Sequence, residues 1–189
     1  MRYINNNLYI ALTIILGVFT YLLNFFNKIA ECSLVFVFLA LTVNIIAETF
    51  GKQKAMRAIV LCIVVSFGLL WNLNYYIDGR VINGLVLASL LSVLLSTYCG
   101  MSLFLKLKSA HNFYNSFYVR NFISLTVCAI VDGVVMAGFF INQFSASRVL
   151  LIFFKEVSFK CIYSLIACIF IFVGSYLVQK VHSNNKLIS

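Results

Sequence analysis

Residues Arg120–Phe140 read RNFISLTVCAIVDGVVMAGFF. The stretch is long enough to cross a bilayer core, which takes about 20 apolar residues. Yet Asp132 stands inside it, preceded by Arg120, Asn121 and Ser124. A charged group in mid-bilayer costs roughly 2.5–3.5 kcal/mol on insertion scales, so it needs a partner or a use.

The rest of the chain settles what kind of protein carries such a helix. Of its 189 residues, 63% are hydrophobic and only 10% are charged, with a mean hydropathy of +1.03. A soluble domain carries about a quarter charged residues. This chain has too little polar surface to cover itself, so lipid must be its main solvent. It contains no long polar tract, and residues 1–189 read as one membrane domain.

Six apolar runs follow one another: Leu8–Phe26, Cys32–Phe50, Ala58–Ile77, Val81–Leu105, Phe117–Ile141 and Val149–Val178. The breaks between them are NKIAE, GKQKAMR, DGR, KLKSAHNFYNS and NQFSASR. Short breaks between long apolar helices make antiparallel neighbours in a bundle. The expected fold is all-α, with six transmembrane helices. The first run is too long for a secretion-signal core and no small-x-small cleavage site follows it, so it reads as a span. Proline is absent, which leaves glycine or serine, for example Gly133 and Gly138, to make any helix break.

The net charge of +9 does not point to nucleic acid, because no nucleic-acid-binding motif accompanies it. The basic residues sit mostly in the breaks and act as topology signals. One side holds eight of them: Arg2, Lys52, Lys54, Arg57, Lys106, Lys108, Lys180 and Lys186. The other holds Lys28, Arg80 and Arg148, and the last three (Arg120, Lys155, Lys160) fall inside apolar runs. The positive-inside rule then places both termini in the cytoplasm.

Six cysteines are scattered without a C-x-x-C pair and read as small buried hydrophobes. His111 and His182 lack a second ligand at metal spacing, and no metal or cofactor is expected. No P-loop is present, so any ATP hydrolysis belongs to a partner. No nucleophile–base or metal constellation suggests an enzyme.

The intramembrane polar groups carry the functional signal. Asp132 should lie ~20 Å into a ~30 Å core, and Lys160, descending from the other face, ~15 Å down at nearly the same height. Glu156 precedes Lys160 by four residues, the favourable order for a helical Glu–Lys pair. These three side chains can therefore meet in one layer. Asn121, Ser124, Cys128 and Asp132 form a polar stripe on the fifth helix, and such a stripe faces a cavity or another helix. For Asp132 and Lys160 a functional role is preferred to helix–helix glue; for Glu156 a purely structural role is preferred, and Lys155 is expected to reach for the outer interface. Asn44 and Glu48 share one helical face. Glu48 can pair with Arg120 at the same rim, or simply balance the nearby basic cluster.

Three segments, NIIAETFGKQKA (Asn44–Ala55), RNFISLTVCAIVDGVVMAGFF and FKCIYSLIACIF (Phe159–Phe170), resemble in order and spacing the bacterial queuosine precursor transporters of the vitamin uptake transporter family. The resemblance covers most of the chain from about Val43 onward. It implies a fold similar to the substrate-binding subunits of energy-coupling-factor transporters, in the bacterial inner membrane. It implies import of a deazaguanine base or queuine for tRNA modification. Asn44, Glu48, Arg120, Ser124, Asp132 and Lys160 match its motifs and are the expected substrate-binding residues. A carboxylate such as Asp132 suits the paired N–H donors of a guanine-like edge. Three alternatives stay open: a binding subunit for another vitamin-like molecule that needs a separate ATPase module, a membrane enzyme, and a scaffold that tolerates Asp132→Leu.

Overall fold

The computed structural model describes residues 2–26, 28–71, 76–77, 80–81, 84–110 and 116–186, with side chains placed for 6–26, 28–71, 84–110 and 116–174. The side chains of Arg2, Arg80, Lys180, Lys186, His111 and His182, used in the topology and metal readings, lie outside the described residues.

Among the described residues there are six helices: α1 (Arg2–Phe25), α2 (Ile29–Phe50), α3 (Lys52–Leu70), α4 (Leu85–Ser109), α5 (Phe117–Phe140) and α6 (Ala146–Lys186). Each of the six contains a stretch long and apolar enough to cross a membrane. Their outward faces carry large apolar side chains, among them Leu69, Val64, Phe154 and Phe170, all well exposed. Such faces suit lipid and not water.

Between α3 and α4 the chain pairs two residues with two. In β1 (Tyr76–Ile77) and β2 (Arg80–Val81), Tyr76 faces Val81 and Ile77 faces Arg80 in antiparallel register. The sequence between them is Asp-Gly, a favoured two-residue hairpin link. The third apolar run was expected to continue as helix to Ile77; it leaves the helix at Leu70. The break expected at GKQKAMR is narrower still. Only Gly51 separates α2 from α3, at φ 87°, a conformation that glycine adopts without steric cost. Its N–H donates to Ala47 O (3.1 Å), and its own carbonyl accepts from Ala55 N (3.2 Å). Lys52–Arg57 therefore form the first turns of α3.

α2 sits at the centre and packs against every other helix. Around it α1 touches α3, α3 touches α4, α4 touches α5 and α5 touches α6. Among the described residues α1 and α6 do not touch each other, so the ring is open there. The buried centre is built from Phe36, Leu39, Val43 and Ile46 of α2 with Leu16, Ile59, Met101 and Leu125 from the surrounding helices.

Lipid supplies no hydrophobic drive to bring helices together, so close packing and polar contacts must do it. The α4–α5 interface shows both. Ser92, Ser96 and Gly100 of α4 step down in fours against Asp132, Cys128 and Ser124 of α5. Ser92 Oγ lies 2.5 Å from Asp132 Oδ1, Cys128 Sγ lies 3.3 Å from Ser96 O, and Ser124 Oγ donates to Gly100 O at 2.9 Å. A Cβ on Gly100 would run into Cys128 Sγ and the Ser124 carbonyl. Gly100→Leu should therefore separate α4 from α5, at an overpacking cost of about 1–3 kcal/mol. A lower melting temperature of the purified protein in detergent checks this; an unchanged one contradicts the close approach.

Gly133 plays a similar part on the opposite side of α5. It does not break the helix, as the absence of proline had suggested it could. A Cβ there would come within 2.9 Å of Phe153 and Val157, so the glycine lets α6 lie against α5 beside Asp132. Cys99 also departs from expectation. It is exposed, while Cys62, Cys128 and Cys168 are buried and Cys32 and Cys161 are half-buried; all six are free thiols.

Candidate functional site

A cavity of about 520 Å³ opens at the end of the bundle opposite the N-terminus. Its walls come from the end of α1, the start of α2, the start of α4, the end of α5 and the first turns of α6. Leu23, Ile29, Leu85, Met136 and Phe140 make much of this wall apolar. The volume falls within the ~300–1,000 Å³ typical of small-molecule sites.

The polar groups of the cavity converge at its base. Lys160, with a side chain only 1% exposed, makes ion pairs with Asp132 of α5 (7%) and with Glu156 (17%) one turn away on α6. Its Nζ also stands 4.2 Å above the ring centroid of Phe36 on α2. The ammonium is thus held from three helices at once. Ser92 Oγ, close to Asp132 Oδ1 and 3.1 Å from the Asp132 backbone oxygen, fixes the carboxylate from α4; its single proton serves one acceptor at a time. Toward the mouth stand Asn24, Ser89, Lys155 and Arg148. The Arg148 guanidinium lies 4.9 Å over the Phe144 ring.

Asp132, Lys160 and Glu156 come together as their sequence depths and spacing anticipated. The four-residue spacing of Glu156 from Lys160 turns it toward the same ammonium. Lys155, one residue away, is exposed at the mouth.

The other four expected binding residues lie elsewhere. Asn44, Ser124, Glu48 and Arg120 do not line the cavity but form a second polar cluster toward the other end of the bundle. Asn44 Nδ2 donates to Asn121 Oδ1 (2.9 Å) and Ser124 Oγ (3.1 Å). Asn121 Nδ2 donates to Phe117 O at 3.0 Å. Nearer the rim, Arg120 donates from both terminal nitrogens to the two oxygens of Glu48, each at 3.3 Å. Lys108 adds a third contact to Glu48 at 3.1 Å, and the Arg120 guanidinium lies 4.8 Å over Phe104. Both earlier readings of Glu48 thus hold together: it pairs with Arg120 and also meets a neighbouring lysine. The whole cluster ties α2, α4 and α5 together.

Sequence reading missed Ser92, Asn24 and Phe36. Ser92 belongs to a visible stripe, Ser89, Ser92, Ser96 and Gly100, whose helical spacing marks a close helix contact. Asn24 is one polar residue near the end of the first apolar run. Nothing in the sequence distinguishes Phe36 from the other phenylalanines. Among the described residues, no three His, Cys, Asp or Glu side chains gather as a metal-binding group.

A family described as "Putative vitamin uptake transporter" matches residues 32–174. No curated protein matches the chain, and no solved structure does. The match spans about three quarters of the sequence and takes in α4, α5, nearly all of α2 and every charged residue of the cavity base. The chain therefore belongs to this vitamin uptake transporter family, as a multi-pass membrane protein.

Proposed function

We propose that the protein imports a queuosine precursor, a deazaguanine base or queuine, across the cytoplasmic membrane of a bacterium. The observation that carries this reading is the cavity with a buried carboxylate layer at its base. The apolar wall suits the flat face of a heterocycle, and an aromatic such as Phe140 can meet that face. Asp132 can accept paired N–H donors from a guanine-like edge, an interaction strengthened where water is excluded. Ser92 and Lys160 hold the carboxylate in place beforehand, which lowers the ordering cost of binding.

The positive-inside distribution of lysine and arginine supports cytoplasmic termini. In that orientation the cavity faces outward, where an importer meets its substrate. The second cluster, Glu48–Arg120–Lys108, then closes the cytoplasmic end.

Complementation tests the reading. The chain is expressed in a bacterium that can neither make nor import the base, and tRNA is assayed for queuosine with each precursor supplied. Queuosine should appear with at least one precursor. Its absence with every precursor, while the protein is present in the membrane, refutes the assignment.

A further inference from the structure

The cavity base sets two carboxylates, Asp132 and Glu156, against one ammonium, Lys160. Among the described residues only Lys160 forms ion pairs with either carboxylate. The walls packed around Glu156 add no cation to this layer. α1 and α4 contribute Leu23, Asn24, Leu85 and Ser89, none of them ionisable, and α2 contributes the thiol of Cys32. Glu31 of α2 pairs with Lys28 at 3.3 Å on the surface. On α6 itself, Lys155 is exposed, and from the helical rise it lies ~7 Å, and Arg148 ~18 Å, along the axis from Lys160. The two carboxylates are not equivalent. Asp132 meets both Lys160 and Ser92 of α4, and its side chain is 7% exposed. Glu156 has Lys160 alone among the described residues, and its side chain, 17% exposed, lines the cavity. Water in the open cavity can solvate the excess charge, but closing the cavity over it is costly.

We propose that import is coupled to protons: one proton enters with each base, carried on Glu156. With the cavity open, a carboxylate oxygen of Glu156 takes the proton from outside water. The layer then holds one carboxylate against one ammonium, and the cavity can close over it and the base. When the layer opens to the cytoplasm, the new O–H bond breaks and the proton passes to cytoplasmic water, which restores the carboxylate. Intramembrane carboxylates commonly serve such relays. For a base without net charge, one positive charge moves inward per turnover, so a pH gradient and the membrane potential both drive uptake. The inference rests on the import reading above and gives it an energy source. It also divides the two carboxylates: Asp132 keeps its place on Lys160 and Ser92, while Glu156 gains and loses the proton.

ATP-free, right-side-out membrane vesicles from cells in which the chain restores queuosine test the proposal. The probe is a labelled 7-deazaguanine with a neutral nitrile substituent. With the outside about one pH unit more acid than the lumen and no membrane potential, wild type should accumulate the base up to about tenfold, the ceiling for one proton per base. A protonophore should return it to equilibrium, and adding base should turn a lightly buffered outside medium alkaline. Glu156→Gln, at a matched membrane level, should show the same uptake with and without the gradient. Glu156→Asp keeps a titrating carboxylate and should keep the response, which covers a Glu156→Gln that fails to reach the membrane. Wild-type uptake that ignores the gradient, leaves the medium unchanged, follows a sodium gradient in its place or requires added ATP overturns the proposal and leaves base import standing. A response kept in Glu156→Gln, or lost in a Glu156→Asp that still carries base, overturns it as well. If the cells gain queuosine with no precursor, import itself is refuted.

Discussion

Replacing Lys160 by Met should leave little folded protein in the membrane. The substitution keeps most of the side-chain volume but strands two carboxylates beside each other in a buried layer. Removing one partner of a buried ion pair costs about 3–5 kcal/mol, because the remaining charge is unsolvated. Here two like charges remain, so the effect should reach the upper end of that range. Membrane level and thermal melting in detergent measure it. The triple substitution Lys160→Met, Asp132→Asn, Glu156→Gln removes every charge from the layer and should restore folding, since neutral groups of similar volume commonly replace buried ion pairs without loss. It should not restore transport. Wild-type transport by the triple variant means that the layer only glues helices.

The second large effect lies at the other end of the bundle and is unequal between two partners. Arg120 has a side chain 3% exposed, while Glu48 is 24% exposed. Glu48 has a second cation in Lys108 at 3.1 Å, whereas Arg120 depends on Glu48 alone for its ion pairing, and its Nε has no hydrogen-bond partner among the described residues. Glu48→Met therefore leaves a buried guanidinium without a carboxylate, at about 3–5 kcal/mol. Arg120→Met leaves a partly exposed carboxylate still paired with Lys108, and the electrostatic loss should be nearer ~1 kcal/mol. Melting temperatures of the two variants in detergent give the ranking; a larger drop for Arg120→Met contradicts it.

The helices were legible because apolar length is a direct requirement of the bilayer. The first, second and fifth runs mark their helices within a few residues at most boundaries. The third run failed at both ends for physical reasons. Lys52–Arg57 carry three charges, at Lys52, Lys54 and Arg57, yet a helix can continue into the interface, where lysine and arginine stems lie along apolar surface and their heads reach water. At the other end, α3 stops at Leu70, and Tyr76 and Ile77, counted in the same run, lie in β1. Gly51 as a one-residue break between α2 and α3 needs its backbone conformation to be seen.

At the site, Asp132 and Lys160 were legible from depth alone, because charge in a span must find charge. Glu48–Arg120 was legible because both stand at one rim. Ser92 and Phe36 were not, since their roles arise from α4 and α2 meeting α5 and α6. Asn44 and Ser124 show the limit from the other side: a polar residue within a span marks a helix contact as readily as a ligand contact. Their hydrogen bonds to one another and to Gly100 are spent on joining α2, α4 and α5.

Uptake of radiolabelled deazaguanine base by cells with equal membrane levels of wild type and Asp132→Asn tests the account most directly. Asn keeps the size of the side chain and an acceptor oxygen but loses the charge and one acceptor of the donor pair. Wild type should accumulate the base above an empty-vector control. Asp132→Asn should lose about tenfold or more of that uptake, in line with the loss of a charge-assisted pair. Uptake at the wild-type rate by Asp132→Asn contradicts the claim that this carboxylate reads the substrate.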